Sequence, residues 1–453
     1  MTESTPADHT KLTGRNFAGF AGMMLLMEFI IVGMGAVDLL MIAPLGVLHI
    51  AALGLGDLVS IAVFSFFVGL VHAYAGRLAV AEGKQELAQR LPVLAGAAVL
   101  VLLLFQLLGY LIGLGMGPGL DAIGQDAEIV PFVDGYLDIR LNGIIPAILV
   151  SAIGVTLRTC GAKTQASAVL VVGFVANIVF NYVFLYTEAL GFFASPETGV
   201  ATATVLAQSL MLPVGAGFLL RLFRKRQERF ARPRGSEVVA EFRSLAPTSC
   251  GIGARHINDY MSATLPILFI GTMGAGAVAA TAVATKVYTL YCRIPQSCFE
   301  AAFVFYGYVG GAAKSVLVRR CRTVMAYSGI TTAVTTMVVL LCSPWLIMAF
   351  AGEGVDRSMA QIMFFAYMIS MPAYFFDQLL ARFLAVHQRG NVLFSVSILT
   401  YVVAIPLAWY SVFVLDSAFL AIASRGVVFV LSALYFRKIL RRDYWVEREP
   451  QLV

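Results

Sequence analysis

Two acidic residues of this sequence lie inside an apolar stretch, where a charge is costly. Asp38 lies about two-thirds along a run that begins near Phe17, and Glu28 lies ten residues earlier. An ionisable group at mid-membrane costs roughly 2.5–3.5 kcal/mol on insertion scales, so each is a functional candidate. Burial favours the neutral form of a carboxyl group, which suits Asp38 to carrying a proton. Glu28 is predicted to border the same cavity as a relay or a substrate contact; the alternative is a partner for a buried arginine.

Amide side chains occur in a second apolar stretch. Asn177 and Asn181 are four residues apart, so both amides lie on one face of a helix. Together with Thr204, they could supply neutral oxygens around a cation near Asp38. The alternative is that they form hydrogen bonds between helices and hold a bundle together.

A third pattern is a charged stripe in the second half of the chain. Lys286, Arg293 and Glu300 recur every seven residues, which places them on one side of one helix. Such a stripe cannot face lipid, so it faces a cavity or another helix. The acids Asp259 and Asp377 are its expected counter-charges. A substrate or coupling network and a set of structural ion pairs both remain open.

Aromatic residues flank one of these acids. Tyr374 and Phe376 could line a pocket beside Asp377 and stack on flat molecules. Further basic residues lie near or within apolar stretches, namely Arg140, Arg255, His256 and Arg425. If several of them line a cavity, an anionic or zwitterionic substrate becomes plausible.

The composition shows what kind of element positions these residues. Hydrophobic residues make up 59% of the chain, charged residues 13%, and the mean hydropathy is +0.84. Soluble domains carry about 25% charged residues, so a soluble class is excluded. The apolar runs continue over about twenty residues or more, which indicates membrane-spanning helices and not the alternating segments of a barrel. The chain is therefore predicted to be an all-α membrane protein.

The apolar runs number twelve. The predicted spans are 16–41, 51–74, 91–115, 133–157, 165–187, 198–220, 245–272, 277–308, 323–350, 358–381, 391–415 and 417–436. Lysine and arginine concentrate in alternate intervening segments, whereas the opposite segments carry Arg357 beside several acids. Because cytoplasmic loops are enriched in basic residues, both termini are predicted to be cytoplasmic and the protein to lie in the inner (plasma) membrane. This topology also explains the net charge of +6 without nucleic acid.

A basic segment divides the chain into two halves. The predicted organisation is a cytoplasmic N-terminal tail (1–15), an N-lobe of six helices (16–220), a basic cytoplasmic linker (221–244), a C-lobe of six helices (245–436) and a cytoplasmic C-terminal tail (437–453). The halves share short patterns: Leu45-Gly46 before Ala51-Ala52 matches Met273-Gly274 before Ala279-Ala280 at the same spacing. Two pseudo-symmetric six-helix bundles are typical of secondary transporters, whose substrate site lies between the repeats.

These residues resemble the multidrug and toxic compound extrusion (MATE) family. The resemblance rests on Asp38 before Leu45-Gly46 and Ala51-Ala52, on Leu157-Arg158 before Gly161 with Asn177, Asn181 and Gly199 to Thr204, and on Phe376-Asp377. It covers nearly the whole chain. It implies a MATE-like fold, export of organic molecules, often cationic, and inward movement of H⁺ or Na⁺ as the driving force. It also implies a cation-coupling role for Asp377.

The sequence departs from the family pattern at two positions. One branch has an aspartate where this chain has Asn181, which cannot be a carboxylate. Many members carry a glutamate about eight residues after the proline that corresponds to Pro247, and here that position is Arg255. Asp259 follows one turn later and is the nearest acid that could replace it.

The predicted function is that of a secondary-active efflux antiporter for small organic molecules, working by alternating access. The alternatives are a flippase for lipid-linked precursors and an exporter of an anionic or zwitterionic metabolite. No enzyme is predicted, because the sequence contains no P-loop, HExxH or nucleophile-elbow motif. The five histidines are scattered, so no metal site and no cofactor other than the coupling H⁺ or Na⁺ are expected. The expected partners are the lipid bilayer and a small substrate, with the protein a monomer.

Overall fold

The computed structural model describes residues 12–83, 85–228, 230–307, 314–386, 392, 396 and 398–442, although some side chains in these ranges, among them those of Glu28, Arg255 and Asp259, lie outside the described set. The described residues form helices joined by short turns, and they include no strand. The helices are α1 (Gly14–Ile42), α2 (Val47–Gly83), α3 (Leu87–Leu114), α4 (Met116–Ala122), α5 (Val130–Asn142), α6 (Ile144–Thr159), α7 (Lys163–Tyr186), α8 (Pro196–Arg226), α9 (Gly235–Gly271), α10 (Ala275–Gly307), α11 (Lys314–Phe350), α12 (Arg357–Ile369), α13 (Met371–Val386), α14 (Ile405–Phe413) and α15 (Ala418–Leu440).

Helices overlap all twelve predicted spans. Seven helical segments of the described chain are long and apolar enough to cross a membrane, one of them being α12 and α13 taken together. The helices α5 and α6 meet at an angle of 49°, and they make an eighth such segment if the two are counted as one span. The bend lies at Gly143, and the eleventh predicted span, 391–415, begins among residues outside the described set.

Several helices extend beyond the apolar runs that predicted them. The α2 helix continues to Gly83, and α9 begins at Gly235. The predicted linker 221–244 is therefore largely helical: α8 runs to Arg226, and eight residues separate it from α9. Helical hydrogen bonds can continue past the hydrocarbon core into water, where hydropathy no longer marks the helix.

The described chain divides into two compact units. The first unit contains residues 33–282 and 352–355; the second contains residues up to 32, 283–351 and from 356 onward. This division differs from the predicted lobes, because α9 belongs wholly to the first unit and the start of α1 belongs to the second. The division into an N-lobe and a C-lobe remains a prediction.

In the first unit, α2 packs closely against α9. A Cβ atom on Gly69 would lie 2.3 Å from the carbonyl oxygen of Ser249 and 2.5 Å from the backbone nitrogen of Gly253. A Cβ atom on Gly253 would lie 2.2 Å from the carbonyl oxygen of Phe66. The two backbones therefore touch, as small residues permit where membrane helices cross. Arg77 on α2 also binds Glu241 and Ser244 on α9.

In the second unit, α10 lies in the core. The side chains of Phe299 and Tyr306 are fully buried, and Tyr306 packs edge-on against Phe383 of α13. The same apolar cluster includes Val324 of α11 and Phe436 of α15. This packing fixes the side of α10 that also carries Glu300, and it positions α13 with Asp377.

Candidate functional site

The polar side chains predicted to surround Asp38 meet in the first unit. The Asn181 amide Nδ2 donates to Asp38 Oδ1 at 2.6 Å, and the Asn177 amide Nδ2 donates to Thr204 Oγ1 at 3.3 Å. The Thr204 hydroxyl lies 3.4 Å from Asp38 Oδ2 and 3.1 Å from the Val200 carbonyl, so it can donate to one of them at a time. Asp38 is only 5% exposed, and both asparagines are fully buried.

Three helices bring this cluster together. Asp38 lies on the last full turn of α1, and the asparagines lie one turn apart on α7. Thr204 lies on α8, whose start is fixed by the Ser195 cap, Pro196 and the reciprocal hydrogen bond of Thr198. The α7 and α8 helices approach closely because Gly173 has no side chain.

The cluster offers one carboxylate and several neutral oxygens. The Asn181 Oδ1 atom is buried and has no hydrogen-bond partner among the described residues, while Asn177 Oδ1 accepts only a long 3.5 Å bond from Asn181. Hard cations bind carboxylate, amide and hydroxyl oxygens, and an isolated carboxyl group can instead take a proton. The arrangement is compatible with either ion. The cation-coupling role of these four residues stays a prediction.

A second group of polar residues lies near Asp38. Tyr136 on α5 is fully buried, makes a hydrogen bond to Ser60 and lies close enough to Asp38, Asp57 and Arg140 to interact with them electrostatically. Arg140 stands over the Phe64 ring at 5.2 Å, and its Nε and Nη1 atoms are buried without a described hydrogen-bond partner. In the sequence, Arg140 stands out only as a basic residue near a span, and Tyr136 and Ser60 do not stand out, because neutral polar residues are common in membrane helices.

A histidine–carboxylate pair at the start of α2 was also missed. His49 Nδ1 lies 2.7 Å from Glu197 Oε1, and the Glu197 side chain is completely buried. The His49 ring packs edge-on against Phe132 at 5.6 Å. The pair connects the first turn of α2 to the first turn of α8, and it therefore helps to hold the helix that carries Thr204. Its sequence signal was weak, because each residue lies at the edge of a span, where charge is tolerated.

In the second unit, Asp377 has a different set of neighbours. Ser432 on α15 donates to Asp377 Oδ1, and the Gln378 amide donates to Oδ2 at 3.1 Å. Asp377 is 7% exposed. The carboxylate is therefore buried and hydrogen-bonded to neutral groups. Asp377 was predicted to be a counter-charge for the stripe on α10, but its described hydrogen bonds go to Ser432 and Gln378.

The charged stripe on α10 is not one connected network in the described contacts. Glu300 pairs with Arg382 of α13 at 2.7 Å, so its partner differs from the predicted acids. The Arg293 Nε atom donates to the Thr289 carbonyl at 3.3 Å. Arg382 was placed at the end of a span from the sequence, but the helix continues past it, which brings its guanidinium to Glu300. Lys286 lies on the same helix, and its role is not fixed by these contacts.

Two aromatic residues, Tyr374 and Phe376, shortly precede Asp377 in the sequence. They have different neighbours in the structure. The Tyr374 hydroxyl accepts from the Gln296 amide at 3.1 Å, and its ring packs edge-on against Phe429 at 5.1 Å. Phe376 is 46% exposed and lines an apolar cavity of about 700 Å³ with residues of α11, such as Met337 and Leu341. The two aromatic residues therefore have different neighbours, and their role in a substrate cavity stays a prediction.

Two predicted substrate-cavity residues, Glu28 and Asp259, have side chains outside the described set. Within the described part of the chain, no group of three or more His, Cys, Asp or Glu side chains is arranged to hold a metal ion.

Comparison with known proteins shows the family. The family model MatE matches residues 24–183 and 256–410, which together form more than half of the chain. The chain belongs to the MatE family. The resemblance predicted from the sequence is confirmed, and so is the prediction of an all-α membrane protein with the twelve-helix, two-bundle MATE fold. As a member of the MatE family, it is a multi-pass membrane protein.

The curated relatives of this chain in the MatE family have low sequence identity to it. A probable multidrug resistance protein NorM of Rhizobium meliloti (strain 1021) is 26% identical over 302 residues, which are 65% of this chain. The aligned part is 62% of that relative's length, so the chain matches somewhat less than two-thirds of it.

Solved structures of MatE proteins share the fold. A multidrug resistance MATE family transporter of the MOP superfamily, in an inward-facing conformation, aligns with a TM-score of 0.73 at 18% identity, over 94% of this chain and 98% of its own. A MOP superfamily transporter from Pyrococcus furiosus, described as having a binding pocket of reverse polarity that suggests a different function, aligns with a TM-score of 0.64 at 18% identity, over 97% and 99% of the two chains. At this identity, the likeness concerns the fold alone.

Proposed function

We propose that this chain is a secondary-active exporter of small organic molecules that works as an antiporter by alternating access. Its H⁺ or Na⁺ coupling site is the cluster of Asp38, Asn177, Asn181 and Thr204. The observation that carries the proposal is a buried carboxylate that accepts a 2.6 Å hydrogen bond from the Asn181 amide and lies beside the Thr204 hydroxyl and an amide oxygen that no described group satisfies. Because the Asn181 and Thr204 groups carry no charge, a proton or a small cation bound beside them would balance the Asp38 carboxylate reversibly.

The multidrug specificity named for the Rhizobium relative supports an organic substrate for this chain. Moving one charge through 100 mV yields about 2.3 kcal/mol, and a tenfold ratio corresponds to about 1.4 kcal/mol, so one coupling ion can sustain a gradient of about fiftyfold. Asp377 is a second candidate for coupling in the other unit, and its neutral partners resemble those of Asp38 in kind.

The proposed placement is the cell inner (plasma) membrane, with both termini in the cytoplasm and the chain acting as a monomer. The asymmetry of lysine and arginine between alternate loops supports this orientation. Cysteine substitutions in the 1–15 tail and in the loop at Gly352–Val355, labelled in intact cells with an impermeant maleimide, test it. Only the 352–355 position is expected to react from outside.

The decisive experiment is transport into inverted vesicles under a pH gradient or a Na⁺ gradient, with a panel of organic cations and anions. The wild-type chain is expected to accumulate substrate under one of the two gradients. Asp38→Asn is expected to transport at the background level, because the amide cannot carry the coupling proton or neutralise a bound Na⁺. Asp121→Asn is a matched control on the exposed α4 helix and is expected to retain transport. Normal export by Asp38→Asn would rule out the proposed coupling site.

An anion exporter is a second candidate, favoured by one specific observation, the surroundings of Arg425 on α15. The anionic compounds of the panel distinguish this candidate from a cation exporter. Movement of a lipid-linked precursor in lipid vesicles without any ion gradient would instead favour a flippase.

A further inference from the structure

Arg425 is a charged residue in the middle of an apolar helix. It is the only charged residue between Asp416 and Arg437, and α15 is one of the helices long and apolar enough to span a membrane. A guanidinium at this depth cannot face lipid without a large cost, so it faces protein or a polar cavity. The residue is half-buried, so part of its surface stays open to a bound group.

The neighbours of Arg425 are aromatic and neutral. The guanidinium carbon lies 5.6 Å from the centre of the Phe429 ring, within the range of a cation–π contact. Three phenols, those of Tyr288, Tyr367 and Tyr374, lie close enough to interact with it electrostatically. No carboxylate of the described chain lies within ion-pair distance of it.

Three other arginines of the described helices, Arg77, Arg226 and Arg382, each pair with a glutamate of another helix. Arg140, by contrast, lies over the Phe64 ring as Arg425 lies over the Phe429 ring. Arg425 keeps its positive charge among neutral groups, and a second basic side chain, Arg293, also lies near the Tyr374 phenol.

The tyrosines around Arg425 are held in fixed orientations. The rings of Tyr288 and Tyr367 stack with centroids 4.4 Å apart at an interplanar angle of 15°. The Tyr367 hydroxyl is hydrogen-bonded to Thr285 at 2.9 Å, and the Tyr374 hydroxyl accepts from Gln296. Tyr288 and Tyr374 keep part of their surface exposed, like Arg425. The arrangement therefore presents flat aromatic surfaces beside a positive charge.

We propose that Arg425, Tyr288 and Tyr374 form a recognition site for aromatic organic anions, such as aromatic carboxylates or sulfonates. The planar fork of arginine donates two parallel hydrogen bonds to such a group, while the contact with Phe429 orients the guanidinium. The tyrosine rings provide surfaces on which the aromatic part of the ligand stacks. This inference rests on the proposed export function, because it names the class of substrate that the exporter binds.

Equilibrium binding tests the site without any ion gradient. The full-length chain in lipid nanodiscs is dialysed against radiolabelled naphthalene-2-sulfonate or against the naphthyltrimethylammonium cation, which has the same ring and the opposite charge. The wild type is expected to bind the sulfonate at least tenfold more tightly than the cation. Arg425→Gln is expected to weaken sulfonate binding by at least tenfold and to leave the weak cation binding unchanged.

Two further variants keep the test independent of folding. Arg437→Gln removes an exposed arginine from the same helix and is expected to bind the sulfonate like the wild type. Tyr288→Leu removes the ring on which the ligand stacks, and a twofold to fivefold loss of sulfonate binding is expected. Sulfonate binding by Arg425→Gln at the wild-type level, or an equal loss in Arg437→Gln, would overturn the proposal. Because binding is measured without transport, the site can fail while the export proposal stands, and the reverse.

Discussion

The two buried carboxylates, Asp38 and Asp377, occupy unlike surroundings in the two units. Both are less than a tenth exposed, and both accept hydrogen bonds from neutral side chains. Asp38, however, is surrounded by side chains of two other helices, α7 and α8, whereas one of the two donors to Asp377 is the adjacent residue Gln378. The Asp38 cluster also contains an amide oxygen that no described group satisfies. The difference makes Asp38 the stronger candidate for the proposed ion coupling.

The largest effect expected from this comparison concerns transport. Asp38→Asn is expected to reduce gradient-driven export to the background level, and Asp377→Asn to reduce it by about tenfold. The reason is that, among the described contacts of the two carboxylates, the Asp38 cluster adds an unsatisfied amide oxygen for an ion, and a tenfold change corresponds to about 1.4 kcal/mol. Export rates in inverted vesicles, normalised to protein amount, measure both variants. Equal losses in the two variants would show that both carboxylates share one coupling function.

The second expected effect concerns the stability of the Asp38 cluster. Asn181→Ala removes the 2.6 Å donor to Asp38, and a hydrogen bond to a charged group contributes about 1.5–3 kcal/mol. Thr204→Val removes a 3.4 Å contact of a hydroxyl that can also donate within its own helix, so a cost of about 0.5–1 kcal/mol is expected. Thermal unfolding of the purified variants in nanodiscs compares them. A larger loss in Thr204→Val would mean that the short bond to Asn181 is not the main support of Asp38.

Ion pairs of the two units provide a third test. His49→Ala leaves the completely buried Glu197 without this partner, and a cost of about 1–3 kcal/mol is expected for the unsatisfied group. The Glu300–Arg382 pair keeps 46% and 37% of its side chains exposed, so Glu300→Gln is expected to cost about 0–1 kcal/mol. Thermal unfolding of the two purified variants in nanodiscs compares their losses of stability. The ranking is contradicted if Glu300→Gln is the more destabilised variant.

The last expected effect concerns the spacing of the helices behind the Asp38 cluster. A Cβ atom at Gly173 on α7 would lie 2.2 Å from the Met211 sulfur on α8. Because methionine is flexible, Gly173→Val is expected to cost only about 1 kcal/mol, with a severalfold loss of export as Thr204 moves away from Asn177. Gly217→Val on α8 is the control, since nothing lies within 4 Å of its Cβ position. Full export by Gly173→Val would show that the cluster tolerates a wider spacing.

The sequence predicted much of the fold and part of the site, for reasons that particular residues show. A charge in an apolar run identifies Asp38, and a four-residue spacing identifies the common face of Asn177 and Asn181. The partner of Glu300 could not be predicted, because it depends on how α13 continues and packs against α10. Neutral groups such as Tyr136 and Ser60 carry no sequence signal, since a hydroxyl in a membrane helix is not costly enough to stand out.

The contact between Gly69 and Gly253 has a mechanical consequence for α2 and α9. A contact between backbones has no rotamers to rearrange, so it cannot loosen gradually in the way that interlocked side chains do. If one helix tilts against the other, the two glycines are the pivot. The Arg77–Glu241 pair joins the same two helices away from this pivot, so a tilt would move its two side chains relative to each other. A single methyl group at either glycine would act as a wedge, which restricts both positions to the smallest residue.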